Sequence, residues 1–501
     1  MVQIKLFIFG LISIVFLQVN VSAAKKDSTL RVGDYLIAQI SSQANDYNAA
    51  NIHYLNLLKK DKKNINLYLK IIKNNLLNNK IEEANKYYIK LKKIGCNNSN
   101  LECINFLESI GPLVNGIVDL KNNRNNKALK AFSKIRNFEE NELYAGLLKA
   151  WSLANFYTFK QSIETLDGIR SESNSNEIIM HKALIYDLVN EVELAEIFYE
   201  QALINRQEVS LINYYLNFLH RNNKNKKKEQ FLQKLYADSN YQISINNNIL
   251  LDTRLIESQS NGVGLVLYEA SQQLGFEDMK LSRSILNIAN YSYPNLHEVG
   301  FLSASLLYSL EFSEEAIRLY KAIPHNHYLS SLAVIQLASL LNLNNEEDEA
   351  IKALKDYLKV KNNFKVKMTL GDHYRYKSDW ENAQKTYTQI IENEKYALDP
   401  NLWNTFYRRG IAHERNKQMD LAEKDFIKAL TLNNNQPDVL NYLGYSWIDS
   451  DRNMLKAKNM IELALEQKPD DAYFIDSLAW YYFKVNNYEQ ANSLLNYASQ
   501  L

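Results

Sequence analysis

Apolar positions recur along nearly the whole chain at offsets of four and seven residues, the spacing that puts side chains on one face of an α-helix. The most regular mark is a small residue followed twelve positions later by alanine or, in weaker copies, serine. Ala38 leads to Ala50, Gly116 to Ala128, Ala183 to Ala195, Ala304 to Ala316, Ala338 to Ala350, Gly371 to Ala383, Gly410 to Ala422 and Ala479 to Ala491. Four residues beyond the alanine stands a large side chain, as at Tyr54, Tyr88, Phe132, Tyr199, Tyr320, Tyr387, Phe426 and Leu495. Seven beyond it stands another apolar one, as at Leu57, Leu91, Ile135, Ile323 and Ile390. The pattern predicts units of two helices that approach closely where the small residues meet. The large side chain is expected to fill the gap toward the next unit. Asn45-Asp46, Asn78-Asn79, Asn122-Asn123 and Asn486-Asn487 mark the turns between paired helices.

The units follow one another at a nearly constant interval. Gly410 to Gly444 is 34 residues, Gly444 to Ala479 is 35, Ala304 to Ala338 is 34 and Ala338 to Gly371 is 33. A helix–turn–helix period of about 34 residues is the tetratricopeptide signature. The stretch Leu440-x-x-Leu443-Gly444-x-x-Trp447 with Ala457, Ile461, Ala464 and Pro469 resembles a consensus tetratricopeptide unit carrying one inserted residue. Leu478-Ala479-x-x-Tyr482 with Ala491, Leu495 and Ala498 resembles the next. The resemblance spans roughly residues 31–500 and implies an all-α, right-handed α-solenoid of about 12–13 helix–turn–helix repeats. The C-terminal units are also similar to those of large bacterial envelope tetratricopeptide proteins, some of which are lipoproteins that serve as adaptors for processing proteases.

Composition supports helices with short links: 14 glycines and 6 prolines in 501 residues leave few breakers. Lys+Arg at 58 against Asp+Glu at 57 gives no basic excess, so no nucleic-acid partner is expected. Residues 1–23 read as a signal peptide, with Lys5, an apolar run from Leu6 to Leu17 and small residues at Val21-Ser22-Ala23. That run is shorter than the ~20 residues a membrane span needs. The expectation is an exported, periplasmic protein with no membrane span after cleavage; an uncleaved N-terminal anchor is the alternative. No cysteine follows the apolar run, so no lipid attachment is expected.

The period is interrupted twice in ways that suggest domains. Ile72 and Gly116 stand 44 residues apart, which leaves an insertion near 92–108 that holds Cys96 and Cys103. An even cysteine count in an exported chain permits a disulfide, and two free thiols are the other reading. Asn246-Asn247-Asn248 and Ser258-Gln259-Ser260-Asn261-Gly262 break the pattern again. The chain therefore divides into an N-terminal array at 24–240, an irregular segment or hinge at 241–262, and a C-terminal array at 263–501. Around 210–240 a degenerate unit carries the basic run Lys224 to Lys228, read as a solvated face. Leu494, Leu495, Tyr497 and Ala498 end the chain without a polar cap, which suggests a weak homodimer through that end.

No motif points to catalysis. Gly262-Val263-Gly264 lacks the Lys-Ser/Thr of a phosphate loop, and His325 and His327 have no third metal ligand nearby. No catalytic, cofactor or metal residues are assigned. The expected function is a non-catalytic scaffold or adaptor of the bacterial cell envelope, with other proteins as partners, among them an envelope protease or assembly complex. The alternative is a regulatory array or cryptic enzyme of envelope polysaccharide synthesis. By resemblance, partners lie along the concave groove, on a stripe of the first helices. Its candidates are Met368, Asp372, Arg375 and Tyr376; Tyr407, Ile411, Glu414 and Arg415; Asn441, Tyr445, Ile448 and Asp449; and Asp476, Trp480, Phe483 and Lys484. Aromatic residues and arginine mixed with acids suit a protein interface.

Overall fold

The computed structural model describes residues 28–97, 99–135, 142–169, 175–205, 208–237, 253–274, 278–397 and 399–501. The expected signal peptide at 1–23 and most of the irregular segment, 241–252, lie outside them. Among the described residues there is no strand, and helices follow one another through short turns. None is long and apolar enough to cross a membrane.

In several hairpins the small–large pair closes the contact between the two helices. In α6 (Ile110–Lys121) and α7 (Asn125–Phe132), the Phe132 ring lies directly over Gly116, where a β-carbon would come within 2.3 Å of it. Tyr387 covers Gly371 in the same way at 2.4 Å, and Phe426 covers Gly410 at 2.5 Å. All three rings are fully buried. This corrects the expectation that the large side chain fills the gap toward the next unit: it seals its own hairpin first, so the missing β-carbon sets the helix spacing.

The turns share one chemistry. Asn79 has φ 56°; its N–H donates to the Leu76 carbonyl at 3.2 Å, and the Lys80 N–H to the Asn75 carbonyl at 2.8 Å. These two bonds satisfy carbonyls that the helix end leaves open, in the Schellman arrangement. Asn45, Asn123, Asn190, Asn223, Asn345 and Asn486 repeat it, with φ between 55° and 67°. Left-handed backbone costs most side chains about 1–2 kcal/mol, and asparagine tolerates it best after glycine.

The described residues form two compact units, one up to residue 310 and one from 311 to 501. Unit 1 stacks hairpins α1–α2 (Ser28–Gln43, Tyr47–Lys60), α3–α4 (Ile65–Leu77, Ile81–Ile94), α6–α7, α8–α9 (Glu142–Leu153, Phe159–Asp167), α10–α11 (Ser175–Leu188, Val192–Asn205) and α12–α13 (Val209–Arg221, Asn225–Ala237). The short α5 (Leu101–Glu108) is the insertion, and a disulfide joins Cys96 to Cys103 across its start, with the α-carbons 5.7 Å apart. The degenerate unit is an ordinary hairpin. Its basic run is tied to α11, where Lys224 and Lys227 both pair with Glu196 and Lys227 also reaches Glu200 at 2.6 Å.

The final hairpin of unit 1, α14 (Gln259–Leu274) and α15 (Met279–Ser292), behaves differently. It turns back across the earlier helices: α14 packs on α8 and α6, and α15 on α3, α4 and α6. Val263, Val266, Ile285 and Ala289 share one continuous core with Ile72, Ile117 and Trp151. The boundary expected at 241–262 is therefore not where the molecule divides, because residues 253–310 belong to the core built by the residues before them. After α16 (His297–Ser309), unit 2 comprises α17 (Ser313–Lys321) and the hairpins α18–α19 (Ser330–Leu343, Glu347–Val360), α20–α21 (Phe364–Tyr376, Trp380–Ile391), α22–α23 (Leu402–Arg415, Met419–Leu432), α24–α25 (Pro437–Asp449, Met454–Gln467) and α26–α27 (Ala472–Lys484, Tyr488–Ala498). Here each hairpin packs only on its neighbours in the chain.

Candidate interaction groove

The first helices of the unit 2 hairpins carry an open hollow. Helices α22, α24 and α26 line a groove of about 760 Å³, with Tyr407, Tyr442, Tyr445 and Tyr473 among its walls. A second hollow of about 470 Å³ shares Tyr407, Arg415 and Tyr442 with it and continues onto Asp372, Arg375 and Tyr376 of α20. Together they form one channel across four successive first helices.

Local interactions hold these walls. Asp372 accepts the Tyr387 hydroxyl at 2.8 Å and pairs with Arg375 at 3.3 Å and with Arg408. It therefore ties α20 to α21 and α22. Glu414 accepts the Tyr442 hydroxyl at 2.9 Å, joining α22 to α24. Arg409 forks onto Asp425 at 2.7 and 2.8 Å, which fixes α22 against α23. The Trp447 indole N–H donates to Glu423 at 2.9 Å, and Arg452 meets the same carboxylate at 3.0 Å. The Tyr407 hydroxyl is pushed up to about 12, by burial first and by the Asp438 carboxylate next. Burial also raises the Tyr445 hydroxyl; Asp449, Asp476 and Glu414 add to the rise, and Arg415 opposes it.

The sequence stripe meets this channel in part. Asp372, Arg375, Tyr376, Tyr407, Ile411, Glu414, Arg415, Asn441, Tyr445, Asp449 and Asp476 all line it. Met368 does not: it is buried between hairpins, where its sulfur accepts the Thr405 hydroxyl at 3.2 Å. Ile448 is fully buried in the unit 2 core. Trp480, Phe483 and Lys484 lie outside the channel walls. The first two rings stack on each other at 5.2 Å, and Lys484 bonds the Asp449 carbonyl and Asp451 at the α24–α25 turn. On α24 the stripe includes the buried Ile448 and omits the wall residues Asp438 and Tyr442; Asp438, Tyr442, Tyr445 and Asp449 follow the i, i+4, i+7, i+11 spacing of a single face. Extending that spacing back from Tyr445 identifies Tyr442 and Asp438.

Unit 1 presents its first helices quite differently, because its own α14 and α15 lie on them. Gln259 donates to the Ser152 carbonyl at 2.8 Å and accepts from Asn125 at 2.7 Å. Asn287 donates to the Leu76 and Leu77 carbonyls at 2.8 and 3.2 Å, and the Tyr291 hydroxyl bonds Glu82 at 2.9 Å. Gly262 sits flat on the buried Trp151 indole, and a β-carbon there would overlap it at 2.1 Å. The Trp151 N–H donates to His181 Nδ1 at 3.0 Å, so His181 Nε2 carries the proton and donates to Glu269 of α14 at 2.9 Å. Among the described residues no three His, Cys, Asp or Glu side chains gather as metal ligands. His325 stacks on Tyr357 at 5.6 Å after its turn.

No curated protein sequence matches this chain. Several solved structures are similar to this chain at TM-scores below 0.5. The crystal structure of MamA is 21% identical, with a TM-score of 0.29, covering 33% of this chain and 93% of its own. The C-terminal part of a TPR repeat-containing protein from Cytophaga hutchinsonii is 17% identical, with a TM-score of 0.36, covering 53% and 99%. The P58(IPK) TPR domain is 12% identical, with a TM-score of 0.31, covering 93% and 98%. The tetratricopeptide-repeat family model matches residues 368–437, which run from α20 to the start of α24. Over that stretch the chain is similar to tetratricopeptide-repeat proteins, and helical hairpins with the same left-handed turn recur at nearly the same interval along the other described residues.

Proposed function

We propose that this chain is a non-catalytic interaction scaffold of the bacterial cell envelope and that unit 2 is its docking half. One observation carries the reading: the first helices of unit 2 leave a continuous channel open, whereas α3, α6 and α8 of unit 1 are covered by the chain's own α14 and α15. A repeat array that buries one set of first helices internally and leaves the other exposed has one long surface for a partner. Tyrosine and arginine on that surface supply contact area at low entropic cost. The export pattern of residues 1–23 and the Cys96–Cys103 disulfide fit an oxidising compartment outside the cytoplasm. Delivery of partners to an envelope protease or assembly complex is the role this reading favours.

The test is site-specific photocrosslinking in native envelope extract. With a photoreactive residue at Tyr445, a defined partner band is expected. The same residue at Lys428, exposed on α23 and outside the channel, should give none. Equal labelling from both positions, or labelling from Lys428 alone, would remove the channel from the account.

A further inference from the structure

The α22–α26 end of the channel has a pronounced sign. Its walls carry Glu414, Asp420, Asp438, Asp449, Asp471 and Asp476 against only Arg415 and Arg452. Internal pairing settles some of these. Arg452 turns to Glu423, Arg415 meets Glu414 at 3.4 Å, Lys468 meets Asp438 at 3.1 Å, and Asp471 caps the start of α26. Asp420, Asp449 and Asp476 have no cation within ion-pair reach among the described residues. Two of these three carboxylates, Asp449 and Asp476, act on the same Tyr445 hydroxyl. On the same wall, Asn441 Oδ1 is buried with no hydrogen-bond partner. Every unsatisfied polar group named here is an acceptor. A buried orphan acceptor costs about 1–3 kcal/mol until a donor reaches it. The rings of Tyr407, Tyr442, Tyr445 and Tyr473 add faces that attract cations. A ligand that satisfies this wall must be rich in donors and positively charged.

We propose that this end of the channel takes an extended segment of a partner protein bearing lysine or arginine, seated over Tyr445 with its cations at Asp449 and Asp476. The inference rests on the reading of the channel as the docking surface and adds the chemistry of what docks. A donor-bearing backbone supplies the N–H for Asn441, and the side-chain cations supply the charge. The hollow is open and runs on toward Arg375, so it accommodates a chain rather than a compact ion. Association is expected to weaken as salt screens the carboxylates.

Fluorescence anisotropy with the full chain and labelled synthetic peptides tests this. One peptide alternates lysine with tyrosine and leucine; its matched partners carry glutamate or glutamine in place of lysine. The lysine peptide should bind at least about tenfold more tightly than either, and the double variant Asp449→Asn/Asp476→Asn should lose about tenfold and flatten the salt dependence. Glu466→Gln/Glu489→Gln, an equal charge change at exposed positions outside the channel, should leave binding unchanged. Unchanged far-ultraviolet circular dichroism certifies each variant as folded, and the salt dependence of the unaltered chain stands without any variant. Lysine-peptide affinity equal to that of the glutamate peptide, or untouched by the double variant, overturns the inference. If the glutamate or glutamine peptide binds best and Tyr445→Ala weakens it, the channel remains the docking surface and only its cationic preference falls. If no peptide responds to Tyr445→Ala, both readings fall.

Discussion

Units 1 and 2 are built from the same hairpin, but they use its first helices to opposite ends. In unit 1, α14 and α15 lie across α3, α6 and α8 and join their core, so the array is its own ligand. In unit 2 the equivalent faces of α20, α22, α24 and α26 end in tyrosines and carboxylates around an open channel. The comparison shows that the repeat lattice does not by itself specify a binding surface. The lattice residues lie between helices and are alike in both halves, as Gly116 over Phe132 and Gly410 over Phe426 illustrate. The halves differ on the neighbouring face, where the residue after the lattice position is Trp151 in unit 1 and Tyr445 in unit 2.

The sharpest way to break the comparison is Trp151→Ala. Trp151 is fully buried, lies flat on Gly262 of α14 and satisfies His181. Truncating a buried Trp costs about 3–5 kcal/mol, and His181 is left without its donor. The loss is expected in unit 1 alone. Hydrogen exchange resolved by peptide should show α3, α6, α8 and α14 losing protection together while α20 to α27 keep theirs. Equal loss in both halves, or protection of α14 unaffected, would mean that the returning hairpin is not part of the unit 1 core. In unit 2 the counterpart is Gly371→Leu, which drives a side chain into the buried Tyr387 ring at a position where even a β-carbon stands 2.4 Å away. Overpacking of this kind costs about 1–3 kcal/mol. Chemical denaturation should show the second unit's transition shifted and the first unchanged.

The sequence made the lattice legible because its signal is local and repeated. A small residue, an alanine twelve positions on and a ring four further can be counted, and each copy reinforces the others. It also located turns at Asn78-Asn79 and Asn122-Asn123, although the pattern alone did not show that Asn79 and Asn123 hold the left-handed position there. The return of α14 onto α8 was not legible. That contact joins residues more than a hundred positions apart, as Ser152 to Gln259 shows, and no periodicity encodes a meeting of that kind. The channel was legible on α20, α22 and α24 with one buried residue too many on α20 and on α24, and on α26 only at Asp476, since Trp480, Phe483 and Lys484 lie beyond its walls. Ile448 and Met368 fell on the wrong side because the stripe was carried over as an offset, and a step of one residue rotates a helix face by about 100°.

The smallest effect concerns a single buried histidine in unit 2. His373 of α20 is 5% exposed, its Nδ1 has no hydrogen-bond partner, and its ring meets Tyr376 edge-on at 6.4 Å. Burial holds its pKa below the ordinary value of 6.5, and the neighbouring Asp372 carboxylate opposes that only in part. The folded state therefore prefers the neutral ring, while the unfolded chain takes up a proton first as the solution is acidified. By linkage, the histidine contributes nothing above pH 6.5. It costs stability progressively as pH falls from there toward the lowered folded value, below which the loss is complete. The unit 2 unfolding midpoint should accordingly decline with acidification through this window. His373→Gln should flatten the decline without changing the unit 1 transition. A decline of the same slope in the variant would assign the pH response to other groups, and would leave the α20 end of the channel indifferent to acid.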